Sequence, residues 1–502
     1  MRKSAIAAVL GVALTGGAAW SAGLPQQNDA TFKQDAADLA ARLKQQENTN
    51  RAKNIILFIG DGMSISTITA ARIYAGQKKG LDGASYRLTM DTLPYAALSR
   101  TYSADSIVTD SAPSATSMTA GIKAKNGTIG VNDKAMPRDC AKSKGTDVTT
   151  IFELAEMAHL STGIITTTRV THATPAAAYA HTPGRDWEAD SDMLPNDRKP
   201  GCKDIADQLV QWNYGDGFEV ILGGGRQKMF GSHDIDPQDP SSRGERGDNR
   251  NLVEEWKARY NGDAAYVWNE EQFKAVDPSS TKRLMGLFNR SYMQYETERA
   301  KTNSEPSLAE MTAKAIDILK KNPEGYVLMV EGGRIDHAHH AGNAARALED
   351  TIAFDDAIKT GLAMTDAADT LIIVTADHSH TLQIVGYPSR GNPILGVADE
   401  PPGREKSDSP PTLDGLPYTT LQYANGPGAS QSREGQTNAI TTNLNFLQPA
   451  LVPMSGETHA GDDVAILASG PWAQLFSGIA DENFIYHVMA HASQLPQRAG
   501  VQ

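Results

Sequence analysis

The stretch Asn54–Ile59, NIILFI, runs directly into Gly60-Asp61-Gly62. After Asn54 it offers no polar face, so it reads as a strand buried on both sides of a sheet. Three further runs are built from apolar and β-branched residues: Gly163–Thr168 (GIITTT), Tyr326–Val330 (YVLMV) and Thr370–Thr375 (TLIIVT). Helical patterns separate them. After His340, Leu348 and Ile352, then Phe354, Ile358 and Leu362, recur mostly at four-residue spacing. Strands that alternate with helices predict an α/β fold, with a large, mostly parallel central sheet flanked by helices on both faces.

Three of these strands end in acids. NIILFI reaches Asp61, YVLMV reaches Glu331, and TLIIVT passes through Ala376 to Asp377-His378. Ligands gather at the carboxyl ends of strands in open parallel sheets. One Asp-Gly after a strand is usually a turn, but three acid-tipped strands mark a site. Of twelve histidines, three stand in Asp336-His337-Ala338-His339-His340 and two in Asp377-His378-Ser379-His380. On a helix, Asp336 and His340 share a face. Nitrogen and carboxylate donors at that spacing suit zinc, and all-oxygen sets suit magnesium. The plainer reading is a run of surface histidines at a helix start.

The candidate nucleophile lies in Val108–Thr116, VTDSAPSAT. Its small residues admit a bulky anion, and Pro113 suits the first turn of a helix. Such a helix would aim its free N–H groups at a phosphoryl group. Ser111 is a weak nucleophile unless a metal lowers its pKa. Read alone, the stretch is an N-capped helix. Gly223-Gly224-Gly225 follows the apolar FEVIL but lacks the Gly-Lys-Ser/Thr signature of a phosphate loop, so its role is structural.

The whole chain has 502 residues, 40% hydrophobic and 21% charged, as in an ordinary globular protein with a large core. A net charge of −13 without a basic block excludes a nucleic-acid partner. Bound metals would still let an acidic protein take an anionic substrate. Arg2 and Lys3, the apolar residues 4–15 and the small residues from Gly16 to Ala22 read as a signal peptide over residues 1–22, cleaved between Ala19 and Gly23. The mature protein is then periplasmic or extracellular, with no membrane span and no lipid-anchor tail. Cys140 and Cys202 fit either one disulfide or two unpaired thiols.

Phe32, Ala36, Leu39 and Leu43 give residues 30–48 an amphipathic helical pattern, within an N-terminal arm over 23–52. Residues 386–456 are rich in Gly, Pro, Ser and Asn and read as a loop-rich, crown-like insertion. It divides a catalytic α/β domain into 53–385 and 457–502.

GDGM, VTDSAPSAT, HATPAAAYAHTPGR, EGGRIDHAHH, TADHSH and ETHAG, in that order, resemble the alkaline phosphatases. The likeness runs from about Lys53 to His491. It is closer to the animal enzymes than to the enteric bacterial type, through TTTRVTHATPA, FNRSYMQYE, YANGPG and HVMAHA. The resemblance implies hydrolysis of phosphate monoesters through a phosphoserine at Ser111, with two zinc ions and one magnesium per subunit. It gives Asp336, His340 and His459 to the first zinc, and Asp61, Asp377 and His378 to the second. Asp61, Thr174 and Glu331 go to the magnesium, with His172 counted in the metal set. Arg185 becomes the clamp on the phosphate oxygens, and His337 and His380 support the ligands from behind. The resemblance also implies a Cys140–Cys202 disulfide and a homodimer joined through the arm and the crown.

A calcium site of the animal enzymes corresponds to Gln238, Phe288, Asn289 and Glu305. Two of its carboxylates are missing here, which argues against calcium. Two other readings stand beside this one: a related phosphodiesterase or sulfatase, and an exported phosphate-binding protein.

Overall fold

The computed structural model describes residues 24–198, 202–302, 304–399, 412–430 and 432–501. The expected signal peptide and its cleavage point lie outside the described residues. The chain forms two compact units, one ending at Glu47 and one beginning at Asn48. In the first, helix α1 spans Ala30–Arg42, capped by Asp29, whose carboxylate accepts from the N–H groups of Thr31 and Phe32. None of its residues is buried.

In the second unit the strands β1 (Asn54–Ile59), β2 (Tyr95–Arg100), β3 (Ser161–Arg169) and β4 (Val220–Gly224) come first. Next are β5 (Ala264–Val267), β6 (Arg283–Leu287), β7 (Tyr326–Glu331) and β8 (Thr370–Thr375). Five short strands follow: β9 (Ser379–His380), β10 (Gln383–Ile384), β11 (Leu421–Gly426), β12 (Ala450–Pro453) and β13 (His459–Ala460). The last are β14 (Val464–Ser469) and β15 (Ile479–Asp481). The main sheet has the order β15-β2-β14-β8-β1-β7-β3-β4-β6-β5. Only β14 runs against the others.

The four runs recognised in the sequence are the contiguous centre of this sheet, β8-β1-β7-β3. Ile55, Leu57 and Ile59 join Val327, Met329, Leu371 and Ile373 in one core. Ile56 and Phe58 join Leu328, Val330, Ile372 and Val374 in the other. Period-two alternation therefore places every side chain of a wholly apolar strand in one core or the other. Each fully buried aliphatic or aromatic side chain contributes roughly 1.5–3 kcal/mol.

Three features carry this frame to the site. Ile59 pairs with Glu331 on β7 and with Thr375 on β8, so the acids beyond these strand ends converge. The turn into helix α2 (Ile65–Lys78) needs Gly62 at φ +67°, because a Cβ there would lie 2.3 Å from the His380 ring. Helix α3 (Ser111–Ala120) is buried along its whole length, begins at Asp110 and ends at Gly121 with φ +76°. The 386–456 region contributes β11 and β12, which form a separate small sheet with β10, just before it in the chain.

Candidate active site

Ser111 opens α3, and the Asp110 carboxylate caps the helix by accepting from the Ala112 N–H at 2.8 Å. Ser111 is 2% exposed, and its Oγ lies 3.3 Å from His378 Nε2. That nitrogen is 3.3 Å from Asp61 Oδ1 and 3.4 Å from Asp377 Oδ2. Asp377 is aimed by its other oxygen, which accepts the N–H groups of Gly62 and His378.

A second group surrounds Asp336. Helix Arg334–His340 puts Asp336 and His340 on one face, 3.3 Å apart. His459 arrives from β13, which pairs with His380 on β9. Its Nε2 is 3.1 Å from His340 Nε2 and 3.4 Å from Asp336 Oδ1. The rings of His378 and His459 stack at 3.5 Å, so the two groups adjoin. A third group joins Asp61, His172 and Glu331. Thr174 lies beside His172 in the short helix Ala173–Ala176, and its hydroxyl has no partner. Asp61 belongs to both the second-zinc and the magnesium sets expected from the sequence, and it is fully buried.

The electrostatics are unbalanced. Both oxygens of Asp61, one each of Glu331 and Asp377, Thr174 Oγ1 and His172 Nδ1 are buried without a hydrogen-bond partner. Burial, then the carboxylates of Asp377, Asp336 and Glu331, push Asp61 well above the usual range. Burial raises Glu331 to about 7. Burial opposes ionisation of Asp336 too, but His340, His380 and His459 hold it well below the ordinary value. Burial holds His378 and His172 far below theirs. Unpaired buried acceptors in such numbers are costly, and bound dications would offset them. The Asp336 group, rich in imidazole, fits zinc; Asp61, Glu331 and Thr174, with oxygen donors, fit a harder ion.

Arg185 is held by two side chains. Its Nη1 donates to Asp110 Oδ1 at 2.8 Å, and Nη2 donates to His172 Nε2 at 3.4 Å. Asp110 thus caps the helix that Ser111 opens and holds the arginine at once.

A sequence profile of the family described as Alkaline phosphatase matches residues 52–495. The chain belongs to that family. It is 45% identical over 457 residues to the tissue-nonspecific isozyme of alkaline phosphatase from Felis catus, covering 89% of this chain and 85% of that one. It is 43% identical over 490 residues to the alkaline phosphatase of Gadus morhua, covering 95% and 100%. Among solved structures, Thermus thermophilus alkaline phosphatase superposes with a TM-score of 0.63 at 25% identity, over 91% of this chain and 94% of that one. The enzyme from the Antarctic bacterium TAB5 shares the fold, with a TM-score of 0.60 at 24% identity over 89% and 99%. As an alkaline phosphatase, the chain is a metal-dependent hydrolase of phosphate monoesters.

Every expected ligand of this alkaline phosphatase is placed in or beside the three groups. Sequence reasoning passed over two positioning acids. Asp110 was legible only as a cap. Glu457, two residues before His459, accepts from His380 Nδ1 at 2.5 Å and from Thr381 N at 2.7 Å. Burial would lower His380, but its bonds to Asp336 and Glu457 raise it to about 10. His339 takes no part in the three groups: its ring lies between Thr67 Oγ1 and the Tyr423 hydroxyl. Cys140 and Cys202 are joined in a disulfide.

The positions equated with calcium do not fit that ion. Glu305 accepts from Asn289 Nδ2 at 2.6 Å and from Gln294 N at 2.8 Å. Gln238 Oε1 accepts from the fully buried Arg226 at 2.7 Å. The same guanidinium forks onto Asp236 and donates to the carbonyl of Leu287, the residue before Phe288. Positive charge is already built in.

Proposed function

We propose that Ser111 is the nucleophile and Arg185 the phosphate clamp of a broad-specificity alkaline phosphatase with two zinc ions and one magnesium per subunit. Asp336, His340 and His459 would hold the first zinc, Asp61, Asp377 and His378 the second, and Asp61, Thr174 and Glu331, with His172 alongside, the magnesium. The observation that carries this reading is Ser111 Oγ, 3.3 Å from His378 Nε2 at the start of a buried helix.

Bound in these groups, the metals supply positive charge that lowers the pKa of the serine hydroxyl and of a water, and that stabilises the entering and leaving oxygens. Ser111 Oγ attacks phosphorus in line, its bond forming as the ester oxygen leaves with the alcohol. Water then cleaves the phosphoserine, returning the hydroxyl and releasing inorganic phosphate. Arg185 meets two phosphoryl oxygens with its planar fork. The first N–H groups of α3 direct their dipole to the same charge. Asp110 keeps both in register.

The same reading divides the chain into a signal peptide over 1–22, an arm over 23–52, a crown-like insertion over 386–456 and a catalytic domain made of 53–385 and 457–502. Export is supported by the N-terminal sequence and by the disulfide. Among the described residues no helix is long and apolar enough to cross a membrane. The unburied apolar side chains of α1, Leu39 among them at 58% exposure, support a homodimer in which a second copy covers them. Metal analysis of the purified enzyme, with turnover of a monoester and a diester compared, tests the assignment. Two zinc and one magnesium with monoester preference are expected; diester preference would overturn it.

A further inference from the structure

The stretch FNRSYMQYE has no part in the three donor groups, yet its tyrosines reach the site. Tyr292 packs its ring 4.2 Å from His337 and 5.9 Å from His172. Arg169 lies over Tyr292 at 4.0 Å. Arg334 lies over Tyr295 at 3.7 Å and reaches Tyr292 at 5.4 Å. The Arg334 backbone is also held, donating to Thr167 Oγ1 at 3.1 Å. Aromatic faces thus hold a guanidinium in place beside His337.

What that guanidinium does follows from its chemistry. Arg334 stands three residues before His337 on the same helix, so the two share a face. Its Nη1 lies 2.8 Å from His337 Nδ1. A guanidinium has only donors, so Nδ1 must offer its lone pair. The ring proton is then on Nε2. His337 in turn packs 5.6 Å from His172, which accepts from Arg185.

We propose that Arg334 is a positioning residue that fixes His337 as its Nε2–H tautomer. The ring then presents a donor, never an acceptor, to the phosphoryl oxygens of the substrate and of the phosphate product. This rests on the reading of the Ser111–Arg185 pocket as the phosphate site. A wrong tautomer would set a lone pair against an anionic oxygen, so Arg334 governs affinity more than the bond-breaking step.

The test is a double-mutant cycle on the metal-loaded enzyme with Arg334→Met, which keeps the stem on Tyr295 but removes the donors, and His337→Ala. Arg334→Met is expected to raise KM and the inhibition constant of inorganic phosphate roughly tenfold, the effect of one lost bond to a charged group. The change in kcat should stay within about threefold, with metal content unchanged. In the His337→Ala background the same substitution should add less than about twofold. Equal effects in both backgrounds, or no effect in either, would overturn the proposal. Nitrogen-15 histidine spectra, with His337 assigned by its absence in His337→Ala, read the tautomer without mutating Arg334; a proton on Nδ1 would refute it directly. Failure of the pocket reading is separable, because it would show as wild-type phosphate affinity in Arg185→Ala.

Discussion

Two clusters of carboxylates lie at opposite ends of the same parallel sheet. At the carboxyl ends of β1, β7 and β8 stand Asp61, Glu331 and Asp377. At the amino ends of β3 and β4 stand Glu156, Asp216 and Glu219, whose ligand oxygens also lie within 4.8 Å of one another. The second cluster brings its own donors. Glu156 accepts from Thr162 Oγ1 at 2.7 Å and from the N–H groups of Asp216 and Gly217. Glu219 accepts from Thr162 N at 2.8 Å, and Asp216 pairs with Arg283 at 2.6 Å. The first cluster leaves buried acceptors unmatched. Counting acids does not tell the two clusters apart; counting acceptors without donors does.

The sharpest break in the comparison concerns Ser111, the proposed nucleophile beside the first cluster. Ser111→Ala should lower kcat/KM by roughly a thousandfold or more. Zinc and magnesium content, measured by elemental analysis, should match the wild type. The next largest effect is Asp61→Asn. Because Asp61 serves two donor groups, loss of its charge should deplete both a zinc and the magnesium and cut activity roughly a hundredfold. Chelation of the wild type should abolish activity, and added zinc should restore it.

The centre of the fold was legible because it is the least ambiguous part of the sequence. The apolar and β-branched runs of β8, β1, β7 and β3 are buried along nearly their whole length and admit one reading. The outer strands do not: β2, YAALSR, buries two residues of six and alternates weakly, and β5 at the edge buries one of four. The site was legible wherever a ligand sits at a strand end or inside a histidine cluster. Asp110 and Glu457 were not, because each acts through a partner distant in sequence, Arg185 or His380. His339 shows the converse: it belongs to a histidine cluster but satisfies a core polar contact.

The acid cluster at the amino ends is sharpened by pH. Burial pushes Glu219 up to about 8 and Glu156 up to about 7, from the usual 4.5. The folded chain therefore keeps protons that the unfolded chain has released. Stability from this region is fully present below about pH 4.5 and is lost as pH rises through 7 to 8. Glu219→Gln removes one such ionisation and keeps an acceptor for Thr162 N. Relative to wild type, its Tm should rise by roughly 2 °C between pH 5 and pH 9. Its kcat/KM and metal content should stay within about twofold. A loss of zinc in this variant would erase the distinction between the clusters.

The smallest effect lies in a third region, where a protein cation answers the acids. Arg226 occupies Asp236 and Gln238, and Asn289 with Gln294 occupies Glu305. If matched acceptors exclude a metal, calcium or a calcium chelator at fixed zinc and magnesium should move the wild-type Tm by less than about 1 °C. Asn289→Glu turns a donor into a second carboxylate beside Glu305. The pair then repels in a half-buried place, so the variant alone should be destabilised by about 1–2 kcal/mol. Calcium should restore it in proportion to the logarithm of its concentration. A wild type stabilised by calcium would mean that hydrogen-bonded carboxylates still recruit the ion here, and matched donors would no longer separate the two ends of the sheet.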